Sequence, residues 1–173
     1  MRIYLAGPDV FLPDAVARGA AKKALVVASG HEPLFPLDAV LDVEFEHDPK
    51  PLIAQAIFVS NVALIQAADA VLANLTPFRG PSADAGTVWE VGYAHGLGKK
   101  VYGYSNVAAP FADRTRMYLS SASDGLDVED FELPSDNLMI HFALAGFFAH
   151  DAPPEGRWSD LTSFEAALAA IGA

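Results

Sequence analysis

Short apolar runs alternating with longer helical stretches predict an α/β domain: a sandwich of helices around a parallel sheet of four or five strands. Three observations carry that expectation. The runs RIYLA (Arg2 to Ala6), DAVLANL (Asp69 to Leu75) and KVYGY (Lys100 to Tyr104) have the length and apolar character of buried parallel strands. The stretches between them start and stop on helix signals. Thirteen glycines and twelve prolines punctuate the junctions without forming a low-complexity tract, and 52% hydrophobic content over 173 residues suffices for one core. Residues 1–173 are therefore read as a single domain.

The first strand ends at Gly7-Pro8, and the loop GPDVFLPD follows. Asp14 after Pro13 reads as the N-cap of a helix running to Ser29, stopped by Gly30. Glu32 to Leu37 is a weaker second strand with prolines at both ends, and Asp38 to Lys50 is an acidic loop. Pro51 suits the first position of a helix, and LIAQAIFVSNVALIQAA after it is apolar almost all round, which predicts burial on more than one side or a subunit interface. After the third strand, Thr76 to Ser82 is loop, Ala85 to Leu97 helix, and Lys100 to Tyr104 strand. Ser105 to Asp130 reads as a long loop, Ser135 or Asp136 as the cap of a helix running through FALAGFF, and Ser163 precedes a terminal helix. A fifth strand near Trp158 is weakly signalled.

Composition excludes several function classes. With no cysteine there is no disulfide, thiolate catalysis or cysteine-ligated zinc. A formal charge of -11 without a basic cluster argues against nucleic-acid binding. The five histidines fit no metal spacing and read as surface or packing residues, so no metal is expected. No apolar run is read as long enough to span a bilayer, and MRIYLAGP enters a strand directly without a signal-peptide pattern, giving the expectation of a cytoplasmic protein without a membrane partner. The first loop lacks both the G-x-G-x-x-G fingerprint and a P-loop triplet.

The residue most suited to chemistry is Glu90, the one acid in TVWEVGYA. On a helix, Gly86 and Ala94 lie one turn below and above it on the same face, where small side chains leave room around the carboxylate. Asp84, six residues earlier, cooperates with Glu90 only from the helix entry, where an aspartate is favoured as a cap. In a parallel sheet, ligands bind beyond the carboxyl ends of the strands, so Tyr4, Asp9, Arg79, Asp84 and Glu90 are expected to share one crevice. Locally, Tyr4 reads as a packed aromatic more readily than as a ligand contact, and Asn61 as a structural hydrogen-bond partner more readily than as a binding residue.

Four ordered blocks resemble the nucleoside 2-deoxyribosyltransferase family: IYLAGPDVF, DAVLANLTPFRG, DAGTVWEVGYAHGLGK, and LPSDNLMI followed by SFEAAL. The resemblance covers Tyr4 to about Leu168. It implies a flavodoxin-like subunit, assembled at least as a dimer, that moves 2-deoxyribose between nucleobases without a cofactor. Its substrates would be small-molecule deoxynucleosides and free nucleobases. By the same resemblance Glu90 matches the nucleophilic glutamate, Asp84 the sugar-binding aspartate, and Tyr4 the tyrosine beside that glutamate, against its bland local reading. Asn137 matches the asparagine that completes a neighbouring subunit's site. Gly7, Asp9, Phe11, Asn61, Arg79, Gly86 and Met139 are the further substrate-binding candidates, with Asp9 the candidate proton donor to the leaving base. Asn61 stands where some members carry an aspartate facing the base. Two rivals are a nucleoside 5'-monophosphate N-glycosidase, with a phosphate site formed by Arg79 with Ser82 or by Arg114 and Arg116, and a non-catalytic nucleotide-binding module.

Overall fold

A computed structural model describes residues 1–119 and 125–172. Five parallel strands, β1 (Arg2–Ala6), β2 (Glu32–Leu34), β3 (Ala70–Asn74), β4 (Lys100–Ser105) and β5 (Gly146–Ala149), form one sheet in the order β2-β1-β3-β4-β5. This is the doubly wound flavodoxin-like order. Side chains alternate across each strand, and the two faces diverge accordingly. Ile3 and Leu5 of β1 with Ala70 and Leu72 of β3 pack against α1 (Ala15–Ala28) and α6 (Thr162–Ile171), through Val26, Phe164 and Leu168. Tyr4, Ala6, Val71 and Ala73 face the other way, toward Ile65 of α2 (Lys50–Ala67), Val91 and Ala94 of α3 (Ala85–Gly96) and Ile140 of α5 (Leu138–His141). The one-residue alternation of β1 thus decides that Tyr4 points to the side of Glu90.

The first loop is held by a buried polar network. The 3-10 turn Pro8–Phe11 carries Asp9, whose carboxylate accepts from Lys22 Nζ of α1 at 2.6 Å and from Asn74 Nδ2 at 3.2 Å. Lys22 Nζ also donates to the Tyr104 hydroxyl at 2.8 Å. Burial pulls the Lys22 ammonium down and Asp9 opposes it, while burial and then the Asp9 charge push the Tyr104 phenol up. Gly7 is needed where it stands, since a Cβ there would lie 2.8 Å from both Asn74 Cβ and Asp9 Oδ2.

Several elements differ from the sequence expectation. The fifth strand is Gly146–Ala149, inside the run read as helix, because Phe147 and Phe148 alternate beside β4; the helix before it has only four residues. Asn137, not Ser135 or Asp136, caps that helix, its Oδ1 accepting from Met139 N. The expected long loop contains α4 (Phe111–Leu119), a polar helix anchored by buried Ala112, Arg114 and Thr115, and its stretch 120–124 lies outside the described residues. Asp14 precedes α1 but pairs with Arg18 instead of capping. The second strand stops at Leu34, with a 3-10 turn at Pro36–Asp38.

The largest difference is α2. Only Ile65 of its 18 residues is buried, and Leu52, Ile57, Phe58 and Val59 are exposed. The helix is therefore not covered on more than one side within this chain. Contrary to the expectation, this helix is long and apolar enough to cross a membrane by length and composition.

The Asp9–Lys22 pair predicts a stability test. Asp9→Ala leaves an uncompensated buried ammonium and is expected to cost about 3–5 kcal/mol in urea unfolding, whereas adding Lys22→Met to it should recover most of that loss.

Candidate active site

At the carboxyl ends of β1 and β3 a cavity of about 450 Å³ opens between the first loop, the segment 36–45, α2 and the start of α3. Among the described residues, Glu90 and Asp84 are the only ionisable side chains on its wall. Tyr4 lies fully buried beneath Glu90 and donates its hydroxyl hydrogen to Glu90 Oε1 at 2.7 Å. Burial drives the Glu90 carboxyl up to about 7; the Tyr4 hydrogen bond opposes that rise, and the Asp84 charge adds to it. The same burial, reinforced by the Glu90 charge, pushes the Tyr4 phenol above its ordinary range, so Tyr4 acts as a donor only. Glu90 Oε1 is thereby held, while no group among the described residues engages Oε2.

Asp84 stands at the N-cap of α3, as its position in the sequence requires for cooperation with Glu90. Its Oδ2 accepts from the Thr87 amide at 3.0 Å and the Thr87 hydroxyl at 3.2 Å. Both bonds fall on one oxygen, so Oδ1 is available to a ligand. Gly86 lies between the two acids on the cavity wall, where a Cβ would come 3.1 Å from Asp84 Oδ2. Ala94, by contrast, is sealed in the core and does not line the cavity.

Gly7, Phe11 and Asn61 also line the cavity. Asn61 Oδ1 is buried without a hydrogen-bond partner, an uncommon state for an amide oxygen. The structural-partner reading of Asn61 therefore fails within the chain. Asp9 and Arg79 do not join the crevice: Asp9 is sealed in the Lys22 network, and Arg79 stacks its guanidinium over Phe11 and Phe78, 5.2 and 4.6 Å from their ring centroids. Asn137 and Met139 also lie outside it. Asn137 Nδ2 donates to both Glu129 oxygens at 2.7 and 2.6 Å, and Met139 is exposed. Asp136 accepts from Ser82 Oγ and Ala83 N, which fixes the loop leading to Asp84.

Sequence reasoning missed the apolar wall formed by Val10, Leu37, Leu41, Phe45 and Ile57. The available signal was the recurrence of Leu41 and Phe45 within an otherwise acidic loop. The arrangement combines a carboxyl raised to about 7 with one free oxygen, a second acid offering one free oxygen, and an apolar slot with one amide. It suits a neutral ligand having a polar end and a flat apolar end.

The profile of the nucleoside 2-deoxyribosyltransferase family matches residues 3–139. A solved 2-deoxyribosyltransferase of Leishmania mexicana is 35% identical, with a TM-score of 0.71 over 98% of this chain and 95% of that one. A CMP N-glycosidase of Clostridium botulinum shares the fold at 13% identity and a TM-score of 0.50, over 98% of this chain and 99% of that one. An uncharacterized Schizosaccharomyces pombe protein is 30% identical over 121 residues, 69% of this chain and 57% of that relative. The chain thus spans little more than half the length of the curated relative it matches.

The raised Glu90 carboxyl has a cost in stability with a defined sign. In the unfolded chain the group ionises near 4.5 and in the fold near 7, so the fold binds the extra proton between these values and loses stability as pH rises through them. The cost is absent below about 4.5 and on the order of 3 kcal/mol above 7. Glu90→Gln is expected to raise the thermal midpoint over wild type at pH 8 and to bring little change at pH 4.5; an equal shift at both values would refute this origin.

Proposed function

Because the chain belongs to the nucleoside 2-deoxyribosyltransferase family, we propose that it moves 2-deoxyribose from one nucleobase to another through a covalent ester on Glu90. The observation that carries the reading is the Glu90 carboxylate, desolvated beside the cavity, with Oε1 held by Tyr4 and Oε2 unengaged. Glu90 Oε2 attacks C1' as the C1'–N bond to the donor base breaks and its electron pair leaves with the base. The acceptor base nitrogen then attacks C1' from the side the donor left, the ester oxygen departs, and the configuration is retained. Tyr4 donates to Oε1 throughout and limits the carboxylate's rotation. Asp84 Oδ1 accepts from a sugar hydroxyl, and Asn61 meets an edge of the base. No cofactor takes part in these steps. The proton for the leaving base is not supplied by Asp9, which the Lys22 pair excludes from the cavity.

The nucleotide N-glycosidase reading is less well supported because, among the described residues, no Lys or Arg lines this cavity. A phosphate dianion there would face Asp84 and Glu90 without a cation, so the preferred substrates are uncharged deoxynucleosides and free bases. The exposed apolar side chains Phe58, Val59, Trp89, Met139 and Phe142 support the second part of the proposal, a homo-oligomer of at least two subunits in which Asn137 reaches a neighbouring site.

Incubation with 2'-deoxyinosine is the direct test. New 2'-deoxyadenosine is expected only when adenine is added; free hypoxanthine without exchange, or base release from deoxynucleoside 5'-monophosphates alone, would favour hydrolysis. Glu90→Ala should abolish exchange. Tyr4→Phe should keep it at a rate about 10- to 100-fold lower, the range expected when one positioning hydrogen bond is lost. The rate of sugar transfer to Glu90 should climb as pH passes through about 7, where the nucleophile ionises. Asn137→Ala should lower activity in proportion to oligomer content, and an active monomer in a dilution series would refute the shared site.

A further inference from the structure

A second concavity, about 800 Å³ in volume, lies on the other side of the Phe11–Phe78 stack from the Glu90 cavity, and no described residue lines both. Its charge is opposite. Three of the chain's six arginines, Arg79, Arg114 and Arg157, line it, and among the described residues no Asp or Glu does. The chain has twice as many acids as bases, 22 against 11, so an arginine without a carboxylate partner is unexpected. Arg2, Arg18, Arg114 and Arg116 each have one. Among the described residues Arg79 and Arg157 have none, and both line this groove. Arg157 Nη2 donates to the Pro77 carbonyl at 2.8 Å, and its Nε is buried without a partner. Arg114, only 7% exposed, leaves Nε and Nη1 unpaired behind the same wall.

The rest of the wall is aromatic: Phe78 meets Trp158 edge-on at 5.9 Å between ring centroids. Guanidinium groups bind phosphate oxygens through paired hydrogen bonds, and aromatic faces stack nucleobases whatever their sequence. The volume lies within the ~300–1,000 Å³ of small-molecule sites. We propose that this groove is a second ligand site for a nucleoside di- or triphosphate, with phosphates on Arg79 and Arg157 and the base against Trp158 and Phe78. The site stands apart from the base-exchange reading and does not depend on it. It has a physical route to the first cavity, because Arg79 stacks on Phe11, which forms part of that cavity's wall.

Calorimetric titration of the full chain with ADP, pyrophosphate and 2'-deoxyadenosine in magnesium-free buffer tests the assignment. ADP is expected to bind once per chain, more tightly than pyrophosphate, and to keep its affinity when 2'-deoxyadenosine is present. Arg157→Gln and Arg79→Gln should each weaken ADP about tenfold or more, the loss expected for one charge-assisted contact, while Glu90→Gln should leave ADP binding unchanged. Arg79 makes no hydrogen bond among the described residues, so its variant keeps the test valid should Arg157→Gln lower stability. Absence of ADP binding, equal affinity in both arginine variants, or displacement of ADP by 2'-deoxyadenosine would overturn the proposal. Pyrophosphate binding as tightly as ADP would overturn the nucleotide assignment.

Discussion

The desolvated Glu90 carboxyl, held by the Tyr4 hydroxyl, is the interaction on which the remaining structure depends. A carboxylate in this position is less stable than in water, and the fold keeps it there because α3 is secured on both sides. Val91 and Ala94 fix the inner face of α3 on the sheet, and Asp84 fixes its first turn through Thr87. Tyr4 comes from the strand beneath, so the Glu90 carboxyl is aligned from the sheet and not only from its own helix. That arrangement gives one oxygen a fixed donor and leaves the other unengaged.

The second requirement is a first loop that does not collapse into the cavity. Asp9 and Lys22 satisfy it from below: their buried pair, with Asn74 and Tyr104, ties the Pro8–Phe11 turn to α1, β3 and β4. Buried pairs of this kind add little net stability over apolar packing, but they are costly to break singly. What the pair supplies is position. Phe11, at the end of the turn, stacks on Phe78 at 5.6 Å and becomes the partition between two concavities of opposite charge.

The sequence was most legible where one local signal fixes a position. The parallel α/β sheet, the alternation of β1, the helix carrying Glu90 and the capping position of Asp84 all follow from strand length, period and cap chemistry. Legibility failed where tertiary packing outweighed local pattern. FALAGFF has a helical composition, yet Phe147 and Phe148 gain more from pairing beside β4, and the chain becomes strand. Asp9 looked like a free acid in a ligand loop because Lys22, thirteen residues away, gives no sign in sequence that its ammonium is turned inward. Arg79 was misplaced for a similar reason: its loop does reach the sheet's carboxyl edge, but the guanidinium is captured by two aromatic rings. The expectation that α2 is buried on more than one side failed differently. An all-round apolar helix need not be buried within its own chain, and here its outer side remains uncovered.

Charge sorts the possible occupants of the two concavities. A unit negative charge placed ~6 Å from one carboxylate at an effective dielectric near 20 meets a repulsion of about 3 kcal/mol, and the first cavity presents two acids and no cation. A deoxynucleoside escapes that penalty because it is neutral, and the polar contacts it needs, hydroxyl acceptors and one amide, are those the wall supplies. A phosphorylated ligand would meet the reverse field across the Phe11 partition, where Arg79 and Arg157 have no counter-ion among the described residues. An acidic chain cannot create such a region by composition; it does so by pairing its other arginines with carboxylates and leaving these two open on one surface. On this reading, discrimination between nucleoside and nucleotide arises from the distribution of six arginines over the fold, before any contact with the base is considered.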